Sequence, residues 1–135
     1  METPQLIGPA AVRDHLDLIV SPEDRCQRSA FVILCDPTSR PMTHAAVDDL
    51  PPDPPAEDCT LLVEPFVTVA AEADPAAQIL IGLTRPGAES IGDVDRRWFH
   101  GIHAVCGRRG VPVLGVYLLT PHATTEIHLD DTVGC

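Results

Sequence analysis

The sequence predicts an α/β (α+β) fold in which a mixed β-sheet is sandwiched by helices. Three observations carry that expectation. Apolar runs rich in β-forming residues recur at 29–36, 78–84 and 111–121, nearly continuous and far too short to span a membrane. Between them lie stretches with apolar residues at helical spacing. Proline, glycine and acidic residues crowd the joins. At 135 residues with 44% apolar side chains, the chain is long enough for one substantial core, so a single domain over 1–135 is expected.

Residues 1–26 read as an N-terminal helical extension. Pro9 suits a first helical position, and Val12, Leu16 and Ile19 follow at helical spacing. SAFVILCD, residues 29–36, reads as a buried strand, PTSRP as a turn and MTHAAVDDL as its antiparallel partner. The segment 49–60 holds PPDPPAED, four prolines and three acids in eight residues, and is expected to be an exposed, fairly stiff acidic loop. A helix is expected over 61–73, with Pro65 in its first turn and Phe66, Val69, Ala70 and Ala73 on one side.

QILIGLT is the next strand and RPGAESIG a loop. Asp93 to Arg109 then reads as a helix ended by Gly110. Its wheel groups Val94, Trp98, Ile102, Val105 and, at the edge, Cys106, with Arg96, His100, His103 and Gly107 opposite. VPVLGVYLLTP is a further strand, and TTEIHLD, residues 124–130, a last edge strand. The expected order is helix, strand, strand, helix, strand, helix, strand, strand.

Charge narrows the function classes. Nine bases, all arginine, face 20 acids for a net charge of −11, which repels phosphate backbones and disfavours nucleic acid as a partner. No base occurs between Arg40 and Arg85, whereas eight acids do, and five arginines then crowd between Arg85 and Arg109. If both groups stay on the surface, the domain is electrically two-sided and suited to a basic protein partner. The five cysteines are odd in number and lack a C-x-x-C pair, so neither a disulfide framework nor a thiolate zinc site is expected. The N-terminus has no apolar run of signal-peptide length and no stretch suits a membrane, so a cytoplasmic protein is expected.

A strand, a turn with Pro86, an acid at the start of a long helix, and then GVPVLGVYLLTP together resemble the RadC-like branch of the JAB/MPN metalloprotease superfamily, over residues 29–129. The resemblance implies a fold with this element order and a zinc site built on His-x-His-Pro, a Ser, an Asp three positions later and a proton-handling Glu on an earlier strand. Matched residue by residue, the two His positions fall on Leu83 and Arg85, and the Pro on Pro86. With one residue deleted from the loop, the Ser falls on Gly92 and the Asp on Asp95, while the Glu position lies near Gln27 and Arg28. Only Pro86 and Asp95 agree. Leu83 has no lone pair for a metal and Arg85 is a fixed cation, so no catalytic residue, metal or cofactor is expected there. An Arg85–Asp95 ion pair would put an internal cation in the metal's place, unless Asp95 merely offsets the helix dipole.

Within the resemblance the expected role is a non-catalytic JAB/MPN-like domain acting as a protein-binding or scaffolding module. Two alternatives stay open. One is a sensor that binds a small anion through Arg85 and nearby loop amides. The other is a metal-dependent (iso)peptidase with ligands relocated to His100, His103 and Cys106, which sit at successive steps of three on one helix. An open edge at TTEIHLD would also allow homo-oligomers.

Overall fold

The computed structural model describes residues 4–128. The elements follow the expected order: α1 (Pro9–Ile19), β1 (Ser29–Cys35), β2 (Pro41–Val47), α2 (Ala56–Glu72), β3 (Gln78–Thr84), α3 (Asp93–Arg109), β4 (Val113–Thr120) and β5 (Ala123–Glu126). A short 3-10 turn, Asp24–Cys26, precedes β1. The strands form one mixed sheet in the order β2-β1-β3-β4-β5, with β3 and β4 parallel and the other neighbours antiparallel. None of the described helices is long and apolar enough to cross a membrane.

The continuous apolar runs become the strands that are covered on both faces. Every residue of β1 is buried, as is every residue of β3 after Gln78. One face, carrying Ala30, Val32, Leu34, Ile79, Ile81 and Leu83, packs under α2 and α3. The other, carrying Phe31, Ile33, Cys35, Leu80 and Leu119, packs under α1 through Val12 and Leu16. Residues 9–19 are thus one of the two outer layers rather than an extension. Burying a Leu or Ile side chain contributes about 1.5–3 kcal/mol, so this second cluster is a substantial part of the stability.

The β1–β2 hairpin turns on Asp36. Its Oδ1 accepts from the Thr38 hydroxyl at 2.6 Å, the Thr38 N–H at 2.9 Å and the Arg40 N–H at 3.0 Å. Hydrogen bonds from Thr38, then the Arg40 N–H, hold this carboxyl below the usual carboxylate range. At the far end of α3, Gly110 adopts φ 67°, and the Val111 N–H closes on the Cys106 carbonyl at 2.9 Å.

Three expectations need correction. The acidic loop does not reach residue 60, because Pro55 serves as N-cap and α2 begins at Ala56, with Glu57 and Asp58 in the first turn where the helix dipole favours acids. Nor is the loop wholly exposed. Pro54 is buried, and Arg97 holds the segment through Asp53 Oδ1 at 2.6 Å and the Pro54 carbonyl at 2.5 Å. Because the helix starts five residues early, Pro65 falls inside it. Its buried face is Cys59, Val63, Val67 and Ala70, while Val69 is 56% exposed and Phe66 half-buried. The last strand is also shifted: β5 begins at Ala123 and ends at Glu126, although the Ile127 N–H still reaches the Val116 carbonyl at 2.8 Å. Residues 129 and 130 of that expected strand lie outside the described residues.

Two expected outcomes follow from this packing. At the α2–α3 crossing, a Cβ on Gly101 would meet Cys59 Cβ at 3.1 Å and Cys59 backbone carbon at 3.5 Å. Gly101→Val therefore overpacks the crossing and costs about 1–3 kcal/mol, read as a lower urea midpoint at unchanged m. The second concerns alkaline pH. Burial pushes the Cys35, Cys59 and Cys106 thiols up to about 11. The folded chain keeps protons that unfolded thiols release near 9.0, so this stability is complete below that pH and is lost as pH rises toward about 11. The urea midpoint should fall over that window, and fall less when all three cysteines are replaced by alanine.

Candidate functional site

The site is the join between β3, the loop 85–92 and α3. It forms where it does because β3 runs straight into a Pro86-Gly87 turn and the chain must reverse within eight residues to start α3. Gly87 has φ 99°, in the left-handed region where a side chain is strained. Gly92 then caps α3 with an extended backbone, which leaves the first N–H groups of the helix in need of acceptors.

Arg85 and Asp95 hold this join together. The ion pair expected between them is present and bidentate: Nε donates to Asp95 Oδ1 at 3.0 Å and Nη2 to Oδ2 at 2.9 Å. The other three N–H groups of the guanidinium are also taken. Nη1 donates to the carbonyls of Pro86 at 3.1 Å and Ala88 at 2.8 Å, and Nη2 to that of Ser90 at 2.9 Å. One guanidinium thus organises a whole loop with the five donors it has. Asp95 Oδ2 accepts in addition from the Gly92 N–H at 2.8 Å, so the same carboxylate caps the helix and pairs with the arginine. Asp95 therefore does more than offset the helix dipole. The pair is largely withdrawn from solvent, with side chains 18% and 5% exposed.

Of the remaining positions singled out in the sequence, Pro86 and Gly92 join this pair through backbone groups and Leu83 does not. Leu83 is buried in the core under α2 and α3. Pro86 is exposed, and Gly92 half-buried. Arg28, which with Gln27 stands near the position of the absent Glu, lines a cavity of about 20 Å³ with Leu50, Thr84, Arg85 and Asp95. That is room for about one water molecule, not for a peptide. Thr84, missed in the sequence, is buried there too. Its Oγ1 lies 2.5 Å from Ser29 Oγ and donates to the Gln27 carbonyl at 2.8 Å, tying β3 to the start of β1. A hydroxyl at the end of each of two apolar runs, Ser29 opening one and Thr84 closing the other, was the available signal.

These residues do not fit a zinc ion. Leu83 offers no donor atom, Arg85 brings a positive charge, and both oxygens of Asp95 are already engaged. The anion reading keeps only the loop amides, since every N–H of Arg85 is engaged. The relocated set does not assemble either. His100 and His103 are exposed and flank the Phe99 ring at centroid distances of 5.9 and 4.3 Å, whereas Cys106 is buried in the core. Partial loss of water around the ring, and then His100, lower the pKa of His103 below the usual imidazole value. Among the described residues no group of three or more His, Cys, Asp or Glu side chains is placed to hold a metal ion.

The charge blocks of the sequence also meet in space. Arg97 pairs with Asp53, and Arg109 approaches Glu72 to 4.0 Å, so two arginines of the 85–109 group face acids of the base-free interval. Arg96 pairs with Asp93 on its own helix. The two-sided domain expected from the linear order is therefore corrected to an interleaved surface, because α2 and α3 pack side by side.

Removing Arg85 leaves the Asp95 carboxylate buried without its partner. Arg85→Ala should destabilise the fold by about 3–5 kcal/mol, measured by urea unfolding. Arg85→Lys should recover only part of this, because an ammonium cannot make the bidentate pair and bridge the three loop carbonyls together. A full rescue by lysine would show that charge alone, and not the fork, holds the join. No family model matches the chain, and no curated protein matches it.

Proposed function

We propose that this chain is a non-catalytic JAB/MPN-like domain that works as a protein-binding module. The observation that carries this reading is the Arg85–Asp95 latch. At the positions where the resembling superfamily places two zinc-binding histidines stand a buried leucine and an arginine whose five donors are engaged. A side chain in that state neither ligates a metal nor turns over a substrate.

The chemistry of the surface supports a protein partner. The net charge of −11 opposes nucleic acid. Beside β2, Val69 of α2 is 56% exposed and Phe66 half-buried, and elsewhere on α2 Leu61 is 61% exposed, apolar surface on an otherwise acidic chain. Cys26, Cys35, Cys59 and Cys106 are all unpaired, which suits the reducing cytoplasm.

Elemental analysis of untagged protein, purified without chelator, tests the reading. Zinc far below stoichiometric, with unchanged thermal unfolding on adding zinc or EDTA, is the expected result. About one zinc per chain that leaves on chelation with loss of stability would overturn it.

A further inference from the structure

We infer that Arg28 binds a carboxylate, which the partner protein presents at the mouth of the small cavity beside the Arg85–Asp95 latch. The inference deepens the binding-module reading by naming the chemical group that docks, and rests on that reading for the source of the carboxylate.

Arg28 stands apart from the other cations of this chain. Nine arginines are set among 20 acids, and Arg25, Arg85, Arg96, Arg97 and Arg109 each meet one of those acids in the fold. Arg28 is half-buried, yet its guanidinium meets neither an acid nor a hydrogen-bond acceptor among the described residues. A cation drawn partly out of water without a partner is unfavourable, and an anion supplied from outside relieves that cost.

The backbone around Arg28 is held firmly. The Ser29 N–H donates to Thr84 Oγ1 at 3.1 Å, and Thr84 Oγ1 donates to the Gln27 carbonyl at 2.8 Å. The Arg28 carbonyl accepts from the Leu50 N–H at 2.9 Å. Both neighbours and the residue itself are thus tied to other segments, while the guanidinium is left over. Continuing the alternation of β1 places Arg28 on the face of Ala30, Val32 and Leu34, the face that α2 and α3 cover. There it lines the cavity of about 20 Å³ with Leu50, Arg85, Val94, Asp95 and Trp98. An arginine with a fixed root loses less freedom on binding than one on a mobile segment.

Charge and size select the ligand. Arg85 and Asp95 neutralise each other, and Asp95 already accepts three hydrogen bonds, so the unbalanced charge at the cavity is that of Arg28. A carboxylate balances it one to one and matches the planar fork of the guanidinium. Room for about one water suits a single carboxylate oxygen, the rest of the ligand staying outside. Phosphate is bulkier and more highly charged. It would also meet the exposed acids Glu89 and Asp93 on the adjoining loop and helix start, in a chain of net charge −11.

Trp98 is the single tryptophan of the chain and lines the cavity, so its fluorescence gives the test. The probes are acetate, inorganic phosphate, an N-acetylated alanine peptide with a free C-terminal carboxylate, the same peptide amidated, and the amidated peptide with one internal glutamate, all at constant ionic strength. Acetate should change the fluorescence saturably, with half-saturation on the order of 1 mM, and the amidated alanine peptide should not. Whichever carboxylate-bearing peptide binds more tightly than acetate identifies a chain terminus or an acidic side chain as the source. If neither does, the protein source is overturned; if phosphate binds more tightly than acetate, the choice of carboxylate is. Arg28→Gln should weaken acetate binding about tenfold or more and leave the urea midpoint unchanged. Unaltered binding in that variant overturns the inference, as does a midpoint loss like that of Arg85→Ala, which would make Arg28 a structural residue. Should Trp98 stay silent, the amide shift of Val94 in nitrogen-15 NMR spectra decides, and no response there to any carboxylate overturns the inference while leaving the latch in place. Zinc at the latch would instead overturn the binding-module reading, whatever acetate does at Arg28.

Discussion

The buried pair between Arg85 and Asp95 is the constraint on which the arrangement of this domain depends. Taking a carboxylate and a guanidinium out of water costs several kcal/mol per ion, and only good geometry and saturated hydrogen bonding offset that cost. Both conditions are met here. The carboxylate also caps α3, so one interaction fixes the end of β3, the path of the loop and the first turn of the helix together. Once the start of α3 is set, its rotation is set too. Trp98, Ile102 and Val105 then fall on the sheet, and Gly101 falls against α2. Such a pair stabilises little over an apolar substitute of the same shape. Its contribution is to make alternative placements of α3 costly, because each would strand a buried charge.

Packing then propagates from α3. Gly101 lets Cys59 approach closely, which seats α2 beside α3 over β1, β3 and β4. On the other face α1 meets the sheet over Gly82, where a Cβ would come within 3.0 Å of Leu119 and 3.2 Å of Leu16. Three helices cannot cover five strands on both faces. The strand left out is β2, and its composition agrees with that position: PMTHAAV has neither the continuous apolar character of β1 nor a hydrophobic alternation, since only Val47 at its end packs against a core. The bare edge and the well-packed centre are two results of the same layering.

The electrostatics show how sequence order misleads about surface order. A stretch without bases and a stretch crowded with arginines suggest two poles. In the folded chain Arg97 reaches back to Asp53 and Arg109 toward Glu72, so part of each group neutralises the other. Exposed pairs of this kind contribute little individually. Arg97 has a more specific effect, because it also holds the Pro54 carbonyl and so keeps the proline-rich segment against α3.

The identity and order of the elements were legible in the sequence, because their signals are local. A continuous apolar run marks β1 and β3 as doubly covered, Gly110 supplies the left-handed residue that ends α3, and Pro9 marks where α1 begins. The absence of metal-binding side chains at Leu83 and Arg85 was readable for the same reason, since donor atoms belong to single residues. The tertiary structure alone decided which face of α2 is buried and that Pro65 lies inside it, because the first turn of α2 forms against Arg97 and α3, far along the chain. It decided too that Arg85 keeps none of its donors for a ligand, since its acceptors are three loop carbonyls whose directions are set only when the loop closes on Asp95. Local signals name the elements; which polar groups are satisfied, and which edge stays bare, depends on distant segments meeting.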